Sequence, residues 1–506
     1  MSGFYSKTLK ISIPAALAAI FLFLALPAEA KEPNDPNYAL QSAMWRQINA
    51  PAAWDVSTGS DEVIVAMIDT GPDTKHPDLA ANIWVNTDEI PGNDRDDDNN
   101  GYVDDVNGWN FVENNNNPRP KIVLGSDDDE EAVNHGTLVA GLVGALGDNG
   151  RNGVGLNWKI KIMPLRAMNN LGSGSYGDIV KAINYAIANG ASVISLSVVG
   201  ENTDAEVKVA LRRAYDKGIV VVAAAGNEGK NDEGDLDSFP LYPICLDRGD
   251  KENWLLGATA VDATDRLASF AGYGSCVDLA APGKNIFSIQ YSDPFTGYLD
   301  DFGGGWQGTS FAAPIIAGAA ALVKSVNPEW QAPEIIKALL STADDLEPLN
   351  PFFVGRLGYG RLNVGRAVEK ALAEKIAREN VHQFYFSGSR VYLDYPLAKK
   401  TVYLGDAGGL ISFLSKGDVN ADGRDEVAVL SRLKSGYGIV VLTDNGQTLA
   451  EFVLPRLAPR FVPSGIQLAD NEIKVMTKEK NKKQVVSYYF DLSGQAISHF
   501  VIPSGP

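Results

Sequence analysis

Four short segments of this chain set a reactive side chain beside glycine and small apolar residues. Val63-Ile64-Val65-Ala66-Met67-Ile68-Asp69-Thr70-Gly71 is an apolar strand ending in a carboxylate. It puts Asp69 at the carboxyl edge of a sheet, where α/β folds build their sites. Asn134-His135-Gly136-Thr137-Leu138-Val139-Ala140-Gly141 places a His at the opening of a small-residue helix. Imidazole suits general-base work near neutrality, and a carboxylate on its far nitrogen fixes the tautomer. Gly308-Thr309-Ser310-Phe311-Ala312-Ala313-Pro314 leads a Ser into an apolar helix. Such a Ser is either an N-cap or a nucleophile whose oxyanion is stabilised by the helix N-terminus. Ala223-Ala224-Ala225-Gly226-Asn227-Glu228-Gly229 ends a strand and delivers an amide that either donates to the same oxyanion or closes a turn.

For these segments to meet, the elements around them must form one layered domain. From Val63 to Leu322 short apolar runs alternate with amphipathic stretches, which predicts an α/β fold with a mostly parallel sheet flanked by helices. Strands are expected over Val63 to Ile68, Ile160 to Leu165, Val193 to Val198, Ile219 to Ala224 and Leu255 to Ala258. Helices are expected over His135 to Leu146, Gly177 to Ala188, Ala205 to Asp216, Thr309 to Val326 and Ala332 to Ser341. The chain has four histidines. His382 and His499 fall in the tail, and His76 stands in a Lys-His-Pro-Asp loop read as a solvated turn.

In the order Asp, His, Ser, the four segments together resemble the subtilisin family of serine peptidases over about Asn37 to Ala367. The resemblance implies an endopeptidase in which Asp69 orients His135 and His135 takes the proton of Ser310. Ser310 then attacks the scissile carbonyl, and Asn227 with the Ser310 backbone N–H holds the oxyanion. It also implies a cleft in which Ser173, Gly174 and Ser175 pair with an extended peptide as an added strand, facing Val198 and Val199, with Ala225 and Gly226 beside them. The family usually has Ser-Leu-Gly-Gly where this chain has Ser197-Val198-Val199-Gly200. Val199 is therefore expected to narrow the pocket for P1, the residue before the scissile bond, and to favour small or medium apolar groups over Phe or Tyr. Phe311 stands where the family commonly has Met. The alternative function is a silent peptide-binding protein on the same fold. The complete set of four residues argues against it, and His135 argues against an acid-acting relative with a Glu base.

Two acidic loops fall outside this constellation. Asp96, Asp98, Asn100, Tyr102 through its carbonyl, and Asp104 alternate as oxygen donors around Gly101, the arrangement of a calcium loop. Asp418, Asn420, Asp422, Arg424 and Glu426 repeat the alternation and resemble the calcium loops of integrin-type β-propeller repeats. For both loops the alternative is a solvated acidic insertion. Asp127 to Glu131 lacks such spacing and reads as a solvated charge run.

The 506 residues carry 63 Asp and Glu against 44 Lys and Arg, a formal charge of -19, which excludes a nucleic-acid groove or an anionic membrane surface as the partner. Lys7 and Lys10 precede an apolar run from Ile11 to Leu26 and then Ala28-Glu29-Ala30, the pattern of an export signal cleaved after Ala30. The expected organisation is a signal over 1–30, a short segment over 31–50, a catalytic domain over 51–370, a helix or linker over 371–380 and an all-β domain over 381–506. So short a segment before Pro51 predicts maturation without an N-terminal inhibitory prodomain. A secreted monomer without a membrane span after signal removal follows. The two cysteines, Cys245 and Cys276, either pair or stay as buried thiols, and two alone cannot make a zinc site.

Overall fold

A computed structural model of the chain describes residues 31–379 apart from 123–127, 203 and 232, and beyond residue 379 the backbone of the strands. The expected signal lies outside the described residues. Two compact units divide at Ala373/Glu374.

Val63–Ile68 is almost wholly buried, as a strand must be when helices cover both sides of a parallel sheet. It is the body of β1 (Gly59–Asp69). With β2 (Trp109–Asn110), β3 (Lys159–Arg166), β4 (Val193–Leu196), β5 (Val220–Ala224), β6 (Leu256–Val261) and β7 (Leu279–Pro282) it forms a seven-stranded sheet. The order is β2-β3-β1-β4-β5-β6-β7, and every neighbouring pair is parallel. β3 lies on one side of β1 and β4 on the other, so the strand order reverses at β1. That reversal opens a crevice at the carboxyl ends, where Asp69 is the last residue of its strand.

The helices are α1 (Tyr38–Gln47), α2 (Ala50–Val56), α3 (Glu130–Gly144), α4 (Tyr176–Ala188), α5 (Ala205–Asp216), α6 (Thr309–Val326), α7 (Ala332–Ser341) and α8 (Val364–Glu379). α6 is apolar on nearly every side and packs on β1, β4, β5, β6 and β7. Its length and composition would suit a membrane span, but its burial makes it the core helix of the unit. An antiparallel ribbon, β8 (Lys284–Ile289) and β9 (Phe302–Gln307), leads into it.

Three sequence expectations change here. The 31–50 segment carries α1, whose fully buried Trp45 packs edge-to-face on Trp54, so it forms part of the catalytic unit's core. The boundary at 370 falls inside α8. His76 is buried rather than solvated: its Nε2 bonds to the Asp301 carbonyl at 2.9 Å and its Nδ1 accepts from the Asp78 N–H at 3.1 Å. The cysteines are paired, Cys245 with Cys276, at a Cα separation of 5.0 Å.

In the second unit the strand backbones form antiparallel sheets of three, four and four strands over 383–406, 410–453 and 461–502. Asp418, Asn420, Asp422 and Arg424 lie outside the described residues, and Glu426 opens a strand.

Candidate active site

The carboxylate of Asp69 is 1% exposed at the end of β1. Its Oδ1 accepts from the Thr70 backbone N–H at 2.7 Å and bonds to His135 Nδ1, also at 2.7 Å. Its Oδ2 is buried without a hydrogen-bond partner among the described residues. His135 does not open its helix; it is the sixth residue of α3. The helix begins earlier because the Asp129 side chain accepts from the N–H groups of Glu131 and Ala132, with Glu130 and Glu131 in the first turn. The acidic run read as a solvated stretch is thus in part a helix cap.

Gly136 sets the distance between helix and strand. Its N–H donates to Thr70 Oγ1 at 3.0 Å, and a Cβ there would lie 2.4 Å from the Gly71 carbonyl oxygen. Only a residue without a side chain lets α3 approach the end of β1 closely enough for His135 to reach Asp69. Burial on its own lowers the His135 pKa, but the charge and hydrogen bond of Asp69, and then the charge of Glu131, outweigh it and hold the pKa above its ordinary 6.5.

Ser310 is the second residue of α6. Pro314, four residues on, has no N–H, so the Ser310 carbonyl lacks its helical donor. The Ser197 hydroxyl, just beyond β4, supplies one at 2.9 Å and ties the head of α6 to the sheet. The Ser310 hydroxyl makes no hydrogen bond among the described residues. The ring of Phe311 lies 5.9 Å from the imidazole of His135, so the head of α6 meets α3 at the His.

Asn227 follows β5 with its amide aimed by Thr309. The Asn227 Oδ1 accepts from the Thr309 N–H at 2.9 Å and from its hydroxyl at 3.3 Å, which turns Nδ2 toward Gly308 and the head of α6. Thr309 Oγ1 also accepts from the Gly226 N–H at 3.0 Å. Thr309 was quoted in the sequence motif without a role; its two-way bonding is what fixes the amide.

Of the expected cleft residues, Ser173 and Gly174 form one wall, and Val198 and Val199 the other, of a cavity of about 350 Å³ closed by Tyr176 and Tyr242. Ser175 is not in that wall. Its hydroxyl caps α4, accepting from the Asp178 N–H at 3.1 Å and donating to the Asp178 carboxylate at 2.8 Å. Ala225 is buried, with its N–H on the Ala258 carbonyl.

The sequence matches the Subtilase family over residues 60–360. The chain is 32% identical to thermitase of Thermoactinomyces vulgaris over 337 residues, 67% of this chain and 99% of that protein. The chain belongs to the subtilase family. It is likewise 32% identical to subtilisin E of Bacillus subtilis (strain 168), over 64% of this chain and 70% of that one. Among solved structures, a protease from Pseudoalteromonas arctica PAMC 21717 aligns with a TM-score of 0.53 at 28% identity, covering 67% of this chain and all of its own. This subtilase is a serine endopeptidase, and the silent-binder alternative is not favoured.

The acidic loop 96–105 is assembled differently from its sequence spacing. Asp96 and Asp98 come together with Glu89, their ligand oxygens within 4.8 Å of one another. Asn100 stays beside them, its Nδ2 donating to Asp98 Oδ2 at 2.9 Å, whereas the Asp104 side chain is engaged elsewhere. The Asp104 carboxylate accepts from the N–H groups of Gly92, Asn93 and Asp94, and Asn100 Oδ1 accepts from the Tyr102 N–H. Glu89 was missed because it lies outside the loop. Elsewhere, Asp78 is fully buried with Oδ2 unpartnered among the described residues. Burial pushes its carboxyl up to about 7, opposed by a hydrogen bond from Asn149 and aided by the charge of Asp35.

Proposed function

We propose that Ser310 is the nucleophile, His135 the general base, Asp69 the group that orients it, and Asn227 with the Ser310 N–H the oxyanion donors. The observation that carries this reading is the 2.7 Å bond between His135 Nδ1 and Asp69 Oδ1, which leaves Nε2 for the serine proton. Ser310 Oγ attacks the peptide carbonyl as its proton passes to Nε2. The negative charge on the carbonyl oxygen is met by the Asn227 amide and the free N–H at the head of α6. Collapse expels the amine, which takes the proton from His135, and water then releases the acyl group by the same route. Ser173 and Gly174 pair with the extended substrate on one side, and Val198 and Val199 line the other; Val199 excludes broad aromatic P1 rings. Labelling by a fluorophosphonate tests the assignment: wild type is expected to label and Ser310→Ala not to, and labelling of the variant would overturn it.

We also propose that the enzyme is exported and acts as a monomer on polypeptides. Calcium fits two places as a structural cation. Glu89, Asp96 and Asp98 would hold it in the surface loop, and Asp78 with Asp35 would hold it where a buried carboxylate oxygen lacks a partner. Its charge would offset the repulsion among these groups. The alternating oxygen donors of the 418–426 segment support, from sequence alone, a further calcium loop.

A further inference from the structure

Arg166, the last residue of β3, is 2% exposed and lies beside Asp69 in the sheet register. Its side-chain hydrogen bonds among the described residues all end on uncharged oxygens. Nη1 donates to the Arg119 carbonyl at 2.9 Å, Nη2 to Asn170 Oδ1 at 2.8 Å and Nε, at the longer distance of 3.4 Å, to the Met168 carbonyl. Burial pushes its pKa below the ordinary 12.5, opposed by the charges of Glu113 and Asp128. A buried guanidinium bonded to no carboxylate is costly, and an aliphatic side chain would fill the same space without that cost. What Arg166 contributes is therefore the arrangement of the segments that its fork joins.

Those segments flank the site on two sides. Residues 118–121 pass the end of β1, where the Pro118 carbonyl oxygen fills the place that a Cβ on Gly71 would take. Asn170 extends the same node. Its Nδ2 donates to the Lys121 carbonyl at 2.9 Å, and its own carbonyl accepts from the N–H of Asp129, the cap of α3, at 3.1 Å. On the other side, residues 167–174 make the turn that ends in the substrate wall. The Asp69 carbonyl accepts from the N–H groups of Ala167 at 3.0 Å and Met168 at 3.2 Å, so the turn starts from the backbone of Asp69 itself. It closes with the Asn169 N–H on the Ser173 carbonyl at 2.9 Å and a bridge between Met168 and Gly174. Arg166 grips this turn at Met168 and Asn170, between the Asp69 anchor and the edge formed by Ser173 and Gly174. The approach of His135 to Asp69 is set separately, by Gly136 and Thr70, and neither bonds to the Arg166 side chain.

We infer that Arg166, with Asn170, is a positioning residue for substrate: it fixes the added-strand edge at Ser173 and Gly174 relative to Asp69 and His135. Binding of the residues before P1 then acts at the scissile bond. This rests on the strand pairing proposed above. The test compares kcat/KM for two anilides with the same leaving group and Leu at P1, one beginning at P1 and the other carrying three residues before it. Fluorophosphonate labelling of Ser310 counts the active enzyme in each preparation. Wild type is expected to favour the long substrate by about 100-fold, roughly tenfold for each of two backbone hydrogen bonds. Arg166→Met is expected to cut that ratio about tenfold, while the short substrate keeps its kcat/KM within about threefold. Asn170→Ala, in the loop after β3, is expected to show the same selective loss and carries the test if the buried Arg166 cannot be replaced. Folded variants that lose activity on both substrates equally, or on neither, overturn this inference and leave the strand pairing standing. A wild type that labels but does not favour the long substrate overturns the strand pairing and the inference with it. A folded wild type that does not label overturns the peptidase assignment as well.

Discussion

Replacing Gly136 with Ala adds one methyl group at the contact that holds the catalytic helix against the sheet. The new Cβ would sit 2.4 Å from the Gly71 carbonyl oxygen and 2.6 Å from its carbon, while ordinary contact begins at 3.4 Å. Both partners are backbone, so no side chain can rotate away, and α3 must retreat by about 1 Å. The His135–Asp69 bond, now 2.7 Å, would lengthen to as much as about 3.7 Å, outside hydrogen-bond range. Misplacement of this size costs roughly 100-fold in rate, equal to about 2.7 kcal/mol in the barrier. The same retreat weakens the hold of Asp69 on the imidazole proton, leaving burial to lower the His135 pKa. The acid limb of kcat/KM should then move to lower pH while the plateau drops. The assay is a pH profile of peptide hydrolysis, with circular dichroism to establish folding. Gly144→Ala is the control: it lies on the same helix, and its Cβ meets the buried Ile160 side chain at the same 2.4 Å, away from the contact with Gly71. Overpacking at either site costs about 1 to 3 kcal/mol of stability. A folded Gly136→Ala enzyme with a rate within about threefold of wild type and an unmoved acid limb would refute the reasoning.

Activity needs neutral His135, so it should be lost as the pH falls through a value above 6.5. Glu131→Gln removes one of the charges that raise this pKa and should shift the limb to lower pH; an identical profile would show that Glu131 has no such role. Replacing Asn227 with Leu should lower kcat by about 100- to 1000-fold, a magnitude taken from the corresponding donor in a subtilisin rather than worked out from this structure, and a full rate would remove Asn227 from the oxyanion site. In the Ser310→Ala background, the Asp96→Ala, Asp98→Ala pair should shrink the calcium-dependent rise in Tm, since a site at 100 times its Kd contributes about 2.7 kcal/mol; equal calcium responses count against the loop. Converting Cys245 and Cys276 together to Ala should cost about 3 to 4 kcal/mol, from the loop entropy of a crosslink with a sequence separation of 31, as read by denaturant unfolding.

Elements with a strong periodic signal were legible without coordinates. The helices expected over Thr309 to Val326 and Ala332 to Ser341 are the ones found, because apolar spacing marks both and glycine or a capping residue precedes each. α3 was misplaced by five residues at its start. Its first turn is polar and charged, so the apolar periodicity begins only after Asp129 has already capped the helix. His76 looked solvated because its neighbours Lys75, Pro77 and Asp78 are turn-forming or polar. Its burial comes from Asp301, more than two hundred residues away.

The chemistry of the site was written in one dimension: the identity and order of Asp69, His135, Asn227 and Ser310, and the strand or helix end that carries each. Those follow from side-chain pKa, local periodicity and the glycines that flank them, which are properties of neighbouring residues. The distances were decided only in three dimensions. Gly136 against Gly71, Ser197 on the carbonyl that Pro314 leaves free, Thr309 on the Asn227 amide, and Glu89 joining Asp96 and Asp98 each depend on where a particular atom points. Most of these partners are brought together by the sheet order rather than by spacing along the chain. A hydrogen bond is lost within an ångström or so of misplacement, a tolerance that only the packed core around β1 and α6 can hold.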